Sequence, residues 1–294
     1  MDRAGTYALL DCGDGRRLDD FGGLVVDRPA PSADRRRRTP GRWAGAISYR
    51  AGAGWSLPDG EAPEPVASIV EIDNLTMAVA PTPGGQVGLF PEHAANASWL
   101  DAAVRSAAGS SARRPNVLNL FAHTGYATLL AARAGAEVVH VDASRPAVAW
   151  ARRNADLNGL ADRPIRWIVD DVQAFLAREA RRGRRYGGII VDPPSYGHGR
   201  RGAGRAAGST WSLDDDIGEL LDACAVAAEP DAFWLLTAHT PGWTPARLSA
   251  ALDVAVPGAR GMIEGIDLAI HALSGAVLPL GAAARFDPHR PHRR

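Results

Sequence analysis

VLNLFAHTG (117–125), VVHVDAS (138–144), IRWIVDDV (165–172) and IIVDPPSY (189–196) follow one another at regular spacing. Each is a short apolar run rich in β-branched residues, and each ends on polar residues or a glycine turn. That composition reads as strands buried on both faces. Between them stand TLLAARAG (128–135), RPAVAWARRNADLNGL (145–160) and VQAFLAREARRG (172–183), which read as helices. Pro146 sits in a first turn, and Gly135 and Gly159 close two of the helices. Strands alternating with helices predict an α/β domain with a mostly parallel sheet covered on both faces. In such sheets a nucleotide-like ligand lies at the carboxyl ends of the strands.

Working outward, LDDDIGELLDACAVAA (213–228), AFWLLTA (232–238) and TPARLSAALDVA (244–255) continue the alternation, and 261–273 with 276–286 read as a closing β pair. Residues 1–105 differ: they are rich in Gly, Pro and Trp. YALLD (7–11), GLVVD (23–27) and SIVEIDNLTMAVAP (68–81) have the look of strands, so a small β-rich N-terminal domain is expected there. RPAPSADRRRRTPGR (28–42) reads as an exposed loop, 90–109 as a helix leading into the next domain, and SSARRP (110–115) as a connecting loop. The second domain is expected over 106–294.

The strand ends carry the chemistry. Gly125 lets a backbone come close to a ligand, and Asn119 to Gly125 is not a GxGxxG turn, which argues against a dinucleotide pyrophosphate site. Asp142 ends the second strand, where a carboxylate can accept both hydroxyls of a ribose. It could instead cap the following helix, a task Ser144 can also perform. Asp171 can accept an exocyclic amine of adenine with Val172 against the ring, and Asp170 could cap the next helix. In Asp192-Pro193-Pro194-Ser195-Tyr196, two prolines stiffen the turn and remove N–H donors. Asp192 can take a proton or a hydrogen bond from an acceptor nitrogen, and Tyr196 offers a ring face to a planar base or a sulfonium cation. Each end thus suits one part of S-adenosylmethionine (SAM). Thr124, Ala143 and Ser144 stand in the same turns and, with Pro194, complete the expected cofactor site.

Composition excludes other chemistries. The chain has no lysine, so neither a pyridoxal phosphate Schiff base nor a Walker-A lysine is available. Two distant cysteines and eight unclustered histidines predict neither a disulfide framework nor a metal site. No signal peptide or membrane span is read, and a cytoplasmic location is expected. Net charge is zero, but the arginines are clustered, as at 35–38, 178–185 and 200–205. Such runs either meet RNA phosphates or are solvated faces.

Together LNLF, TG, HVDAS, IRWIVDD and DPPSYG resemble the class I SAM-dependent methyltransferases of the 23S-rRNA-methyltransferase-like family. YALLDCGDGRRLDDFG (7–22), VGLFPEHAANASW (87–99) and SGAVLPLGAAAR (274–285) extend the likeness over most of the chain. The resemblance implies a seven-stranded, Rossmann-like class I sheet with an N-terminal β extension. It also implies SAM contacts at Asn119, Phe121, Gly125, Asp142, Asp171 and Asp192, with Phe90 to His93 closing over the methionine end. The chain departs from the family where an acceptor would sit. Thr237-Ala238-His239 stands where relatives making 5-methylcytosine carry a nucleophilic cysteine, and Cys224 falls inside a helix. The loop 200–211 lacks the family's Lys and Glu, and His93 and His123 replace an expected Gln and Tyr.

The leading expectation is therefore methyl transfer to a polar atom of an RNA base or a small acceptor without a cysteine nucleophile. The alternative is a SAM cyclase, in which the amine or α-carbon of SAM attacks its own γ-carbon to give azetidine-2-carboxylate or 1-aminocyclopropane-1-carboxylate plus methylthioadenosine. Its base would come from His123, Glu92, Asp192, Tyr196 or His93. A non-catalytic SAM- or RNA-binding module is the third. Pro193, whose carbonyl can orient an acceptor, joins Asp192 among the expected catalytic positions.

Overall fold

The computed structural model describes residues 5–64, 66–109, 114–197 and 211–289. The chain divides into two compact units. The first comprises 1–95, 156–158 and 268–280, and the second 96–155, 159–267 and 281–294.

The first unit is built on a seven-stranded sheet: β1 (Gly5–Gly13), β2 (Arg16–Phe21), β3 (Leu24–Pro29), β4 (Ile47–Arg50), β5 (Gly54–Ser56), β6 (Ser68–Ile72) and β7 (Leu75–Val79), in the order β5-β4-β3-β2-β1-β6-β7. Three of its turns hold only two residues: Asp14-Gly15, Gly22-Gly23 and Asp73-Asn74. All six residues have positive φ, the geometry whose twist matches a hairpin. Strand β2, RRLDDF, was not foreseen because its charges look solvent-facing. Instead Arg17 and Asp19 are buried, and Arg17 and Arg28 both bind Asp19, at 2.8 and 3.0 Å. The loop 28–42 is largely exposed, as expected, but it is pinned. The Asp11 carboxylate accepts the backbone N–H groups of Arg38 and Thr39, the Thr39 hydroxyl and the Trp43 indole N–H.

The second unit carries the alternating α/β pattern. A 3-10 turn (Pro91–Asn96) precedes α1 (Ala97–Ala108), so the segment expected as one helix starts more tightly wound. Then come β8 (Asn116–Leu120), α2 (Tyr126–Ala134), β9 (Glu137–Asp142), α3 (Arg145–Leu157), β10 (Ile165–Val169), α4 (Val172–Arg181) and β11 (Tyr186–Val191). The short pair β12 (Tyr196–Gly197) and β13 (Trp211–Ser212) is followed by α5 (Leu213–Ala227), β14 (Ala228–Ala238), α6 (Pro245–Ala255), β15 (Glu264–His271) and β16 (Val277–Phe286). The sheet order is β10-β9-β8-β11-β14-β16-β15. The first five strands run parallel and β16 is antiparallel to β14. The core packs Leu118, Val139, Phe175, Ile189, Leu220 and Trp234.

This order fixes the site. From β8 the chain builds outward through β9 to β10, then returns to place β11 on the other side of β8. The crevice at that reversal, outside the carboxyl ends of β8 and β11, is where open α/β sheets hold ligands.

Candidate active site

Register brings the strand ends together. Leu120 pairs with Val141 on one side and Val191 on the other, Asp142 pairs with Val169, and Val191 pairs with Leu236. Phe121, Asp142, Asp170, Asp192 and Thr237 therefore leave the sheet at one level.

The loop after β8 is held in an uncommon shape. Phe121 (φ 56°), His123 (φ 46°) and Gly125 (φ 92°) all lie in the left-handed region. Only glycine adopts it without steric penalty, so the two side-chain-bearing residues are held there by their surroundings. Asp142 is one restraint: its Oδ2 accepts the His123 N–H at 2.8 Å and its Oδ1 the Ser144 N–H at 2.8 Å. The Ser144 hydroxyl, not Asp142, caps α3 by accepting the Ala147 N–H at 3.3 Å. Ala143 and Ser144 are exposed and Thr124 is buried, its carbonyl accepting the Asn154 amide at 2.9 Å.

Two expectations are revised in detail. A side chain at Gly125 would meet Ala151 of α3, 2.9 Å from its Cβ, so helix packing and backbone angle require the glycine there rather than ligand approach alone. Asn119 is buried with its amide turned to the Thr128 hydroxyl at 2.8 Å, which in turn meets His140 Nδ1 at 2.9 Å. Asn119 supports the loop from beneath. The Thr128 hydroxyl thus accepts from Asn119 and shares a hydrogen bond with the buried His140. Burial, and then the charges of His123 and Arg152, pull His140 down to a pKa of about 3.

The third strand end also differs. Asp171 caps α4, its Oδ1 accepting the Ala174 N–H at 2.9 Å, while Asp170 forms an ion pair with Arg178. The cap expected of Asp170 is thus made by Asp171, and an adenine contact by Asp171 would use its other oxygen. Val172 is buried at the start of α4.

At the fourth end Asp192 is half-buried. Its Oδ1 accepts the Thr237 hydroxyl at 2.5 Å and lies 3.3 Å from His239 Nε2. Thr237 and His239 were noticed in the sequence only as the place of a missing cysteine. The pairing of β11 with β14 makes them partners of Asp192. Pro193 is buried and Pro194 exposed, the Ser195 hydroxyl accepts from Thr240 at 2.7 Å, and Tyr196 is 70% exposed. The Trp211 ring lies 6.2 Å from Phe121. Residues 198–210, where the acceptor loop departs from the family, lie outside the described residues. Cys224 is buried in α5, where burial raises its thiol pKa. Glu92 and His93 lie in the 3-10 turn Pro91–Asn96. Glu92 is buried, and its charge acts on the buried Arg17. The His93 ring meets Phe90 edge-on at 6.3 Å.

A seven-stranded sheet in this order, with acidic residues at successive strand ends around a glycine turn, defines a class I SAM-dependent methyltransferase. The chain belongs to the SAM-dependent methyltransferases. It superposes on the crystal structure of the SAM-dependent methyltransferase from Agrobacterium tumefaciens with a TM-score of 0.82. That match is 34% identical and covers 97% of this chain and 91% of that one. It is also similar to ribosomal RNA large subunit methyltransferase K/L of Methylococcus capsulatus, 38% identical over 120 residues. Those residues are 40% of this chain and 16% of that protein. Ribosomal RNA large subunit methyltransferase I of Aeromonas salmonicida is 33% identical over 139 residues, 47% of this chain and 33% of that protein. The chain thus spans a third or less of the length of these two relatives. No family model matches the chain. No helix among the described residues is long and apolar enough to cross a membrane.

Proposed function

We propose that the enzyme methylates a nitrogen of an RNA base, with ribosomal RNA as the acceptor class, and does so without a cysteine nucleophile. The observation that carries this reading is the Asp192 end of β11. A carboxylate held by Thr237 and facing His239 stands four residues before an exposed aromatic ring, Tyr196, and the Cys224 thiol is sealed in a helix. The names of the two ribosomal RNA relatives support the acceptor class.

The residues present fit SAM by their donor set. Asp142 would accept the ribose hydroxyls, Asp171 the adenine amine, and the turn 121–125 would lie under the methionine half. SAM supplies an activated methyl group, which the acceptor nitrogen takes as its lone pair forms the N–C bond and the S–C bond breaks. The protein's part is mainly alignment and exclusion of water. Asp192 Oδ1 orients the nitrogen through its hydrogen and takes the proton released after transfer, directly or through His239. Tyr196 stacks on the base.

Intramolecular cyclisation gains no support from these relatives, all of which are named as methyltransferases. Incubating the pure protein with SAM, first alone and then with ribosomal RNA, tests both readings by mass spectrometry. S-adenosylhomocysteine and an N-methylated nucleoside appearing only with RNA is the expected result. Methylthioadenosine and a cyclic amino acid formed from SAM alone would overturn it.

A further inference from the structure

A cavity lies at the opposite end of the same sheet. It has a volume of about 550 Å³ and opens at the amino-terminal ends of β8 to β11, entirely within the second unit. Four arginines line it: Arg163 and Arg166 at the entry to β10, and Arg184 and Arg185 at the entry to β11. Glu137 is the one acid in its lining among the described residues. Among the described residues neither Arg163 nor Arg166 forms an ion pair. Arg185 spends one nitrogen on the Ala228 carbonyl at 2.9 Å, and Arg184 reaches Glu179 only at 4.0 Å. Between the guanidinium groups the lining is apolar, from Val138, Pro164 and Ile165.

Four like charges around one concavity repel one another unless something neutralises them, and the chain as a whole carries no net charge to explain them. Guanidinium is weakly hydrated and presents a planar fork that matches phosphate oxygens two at a time. The volume is that of a small-ligand site, and an apolar patch beside the charges suits a base. We propose that this cavity binds a nucleotide unit, its phosphate on the arginines and its base against the lining. The source is either a free nucleotide or a nucleotide within an RNA chain. The RNA arm rests on the acceptor proposed above, and the free-nucleotide arm does not. β8 holds five residues between this end and the strand ends at Phe121 and Asp192, so about 15 Å separates the two places. An RNA held here is anchored at a point remote from its methylated base.

The test is binding to the full chain by calorimetry and fluorescence anisotropy, with three probes: inorganic pyrophosphate, AMP and a twelve-nucleotide single-stranded RNA. Two double variants are compared with the unaltered protein. Arg163→Glu with Arg166→Glu alters the cavity. Arg50→Glu with Arg260→Glu makes the same charge change at exposed positions elsewhere. SAM affinity is measured in parallel to show that each variant is folded. For RNA, the cavity variant is expected to lose at least tenfold in affinity and to flatten the log–log salt slope by about 1.4, as for two lost single-strand phosphate contacts. The control keeps both. If only AMP and pyrophosphate show the selective loss, the cavity serves free nucleotides, and the RNA reading fails while the site stands. Equal loss in both variants, or no probe binding to the unaltered protein, overturns the proposal.

Discussion

At the scale of single residues, Asp192 is where charge, geometry and the missing thiol converge. Asp192→Asn keeps the shape but removes the proton acceptor. Methyl transfer is expected to fall about 10²-fold or more, with SAM affinity within a few-fold. Single-turnover rates and equilibrium binding separate the two effects. His123 poses a different question, because its backbone and its ring make separate claims. Asn tolerates the left-handed region but has no imidazole. His123→Asn therefore preserves SAM binding and the rate if the residue serves through its backbone, and lowers the rate alone if the ring carries a proton. The backbone reading is the one Asp142 favours, through its bond to the His123 N–H. His140 gives a pH signature. Its pKa is lowered from the ordinary 6.5 to about 3 in the folded chain, so between those values the unfolded chain binds more protons. Stability is full above pH 6.5 and is lost as pH falls towards 3, by a few kcal/mol in all. His140→Gln should lower stability at pH 7 but flatten this slope, as read by urea denaturation at several pH values. An unchanged slope would remove His140 as its source.

At the scale of elements, the loop 28–42 is shaped by groups outside itself. The backbone of Arg35 to Arg37 passes so close over Gly13 that an added Cβ would lie 2.4–2.7 Å from it. Gly13→Ala should destabilise the first unit by about 1–3 kcal/mol through overpacking. Asp11→Ala should cost at least as much, since several donors lose their acceptor. Thermal melts check both, with Gly15→Ala, which meets no neighbour, separating steric clash from backbone strain. These elements also show what a sequence reveals. Strands β8, β9 and β11 were legible because they are largely buried and mostly apolar, and β10, only partly buried and carrying the exposed Arg166, because it keeps their spacing. β2 was not, since Arg17 and Asp19 hide their charges in each other. Asp14-Gly15 and Asp73-Asn74 were readable turn signals that went unused. The sequence favours Asp171 for adenine and leaves the cap to Asp170; that Asp171 makes the cap is visible only in the structure, because adjacent carboxylates before a helix read alike. His239 became visible as a partner of Asp192 only through the pairing of β11 with β14, and no local pattern encodes that.

For the whole molecule, the zero net charge conceals a division of labour among 33 arginines. Some are internal struts, like Arg17 and Arg28 on Asp19, and others, like Arg163 and Arg166, carry no ion pair among the described residues. If the proposed RNA site is right, the salt dependence of RNA binding reports on arginines of the second group. The first unit raises a separate matter. Its small core of Leu9, Cys12, Ala30 and Ala33 is completed by Ala272, Ala276 and Leu278, far along the chain. A fragment of residues 1–95 should accordingly bind a hydrophobic dye and melt without cooperativity, and adding a peptide of residues 268–280 should restore a sharp transition. A sharp transition in the fragment alone would show the late segment to be dispensable. On the ribosome the same dependence becomes a matter of time. At about 5–20 residues per second, roughly ten to forty seconds pass between synthesis of Ala95 and of Leu280. Throughout that wait the earliest-made part of the protein carries an unfinished core, so a nascent-chain chaperone would have its longest opportunity at the first third of the chain.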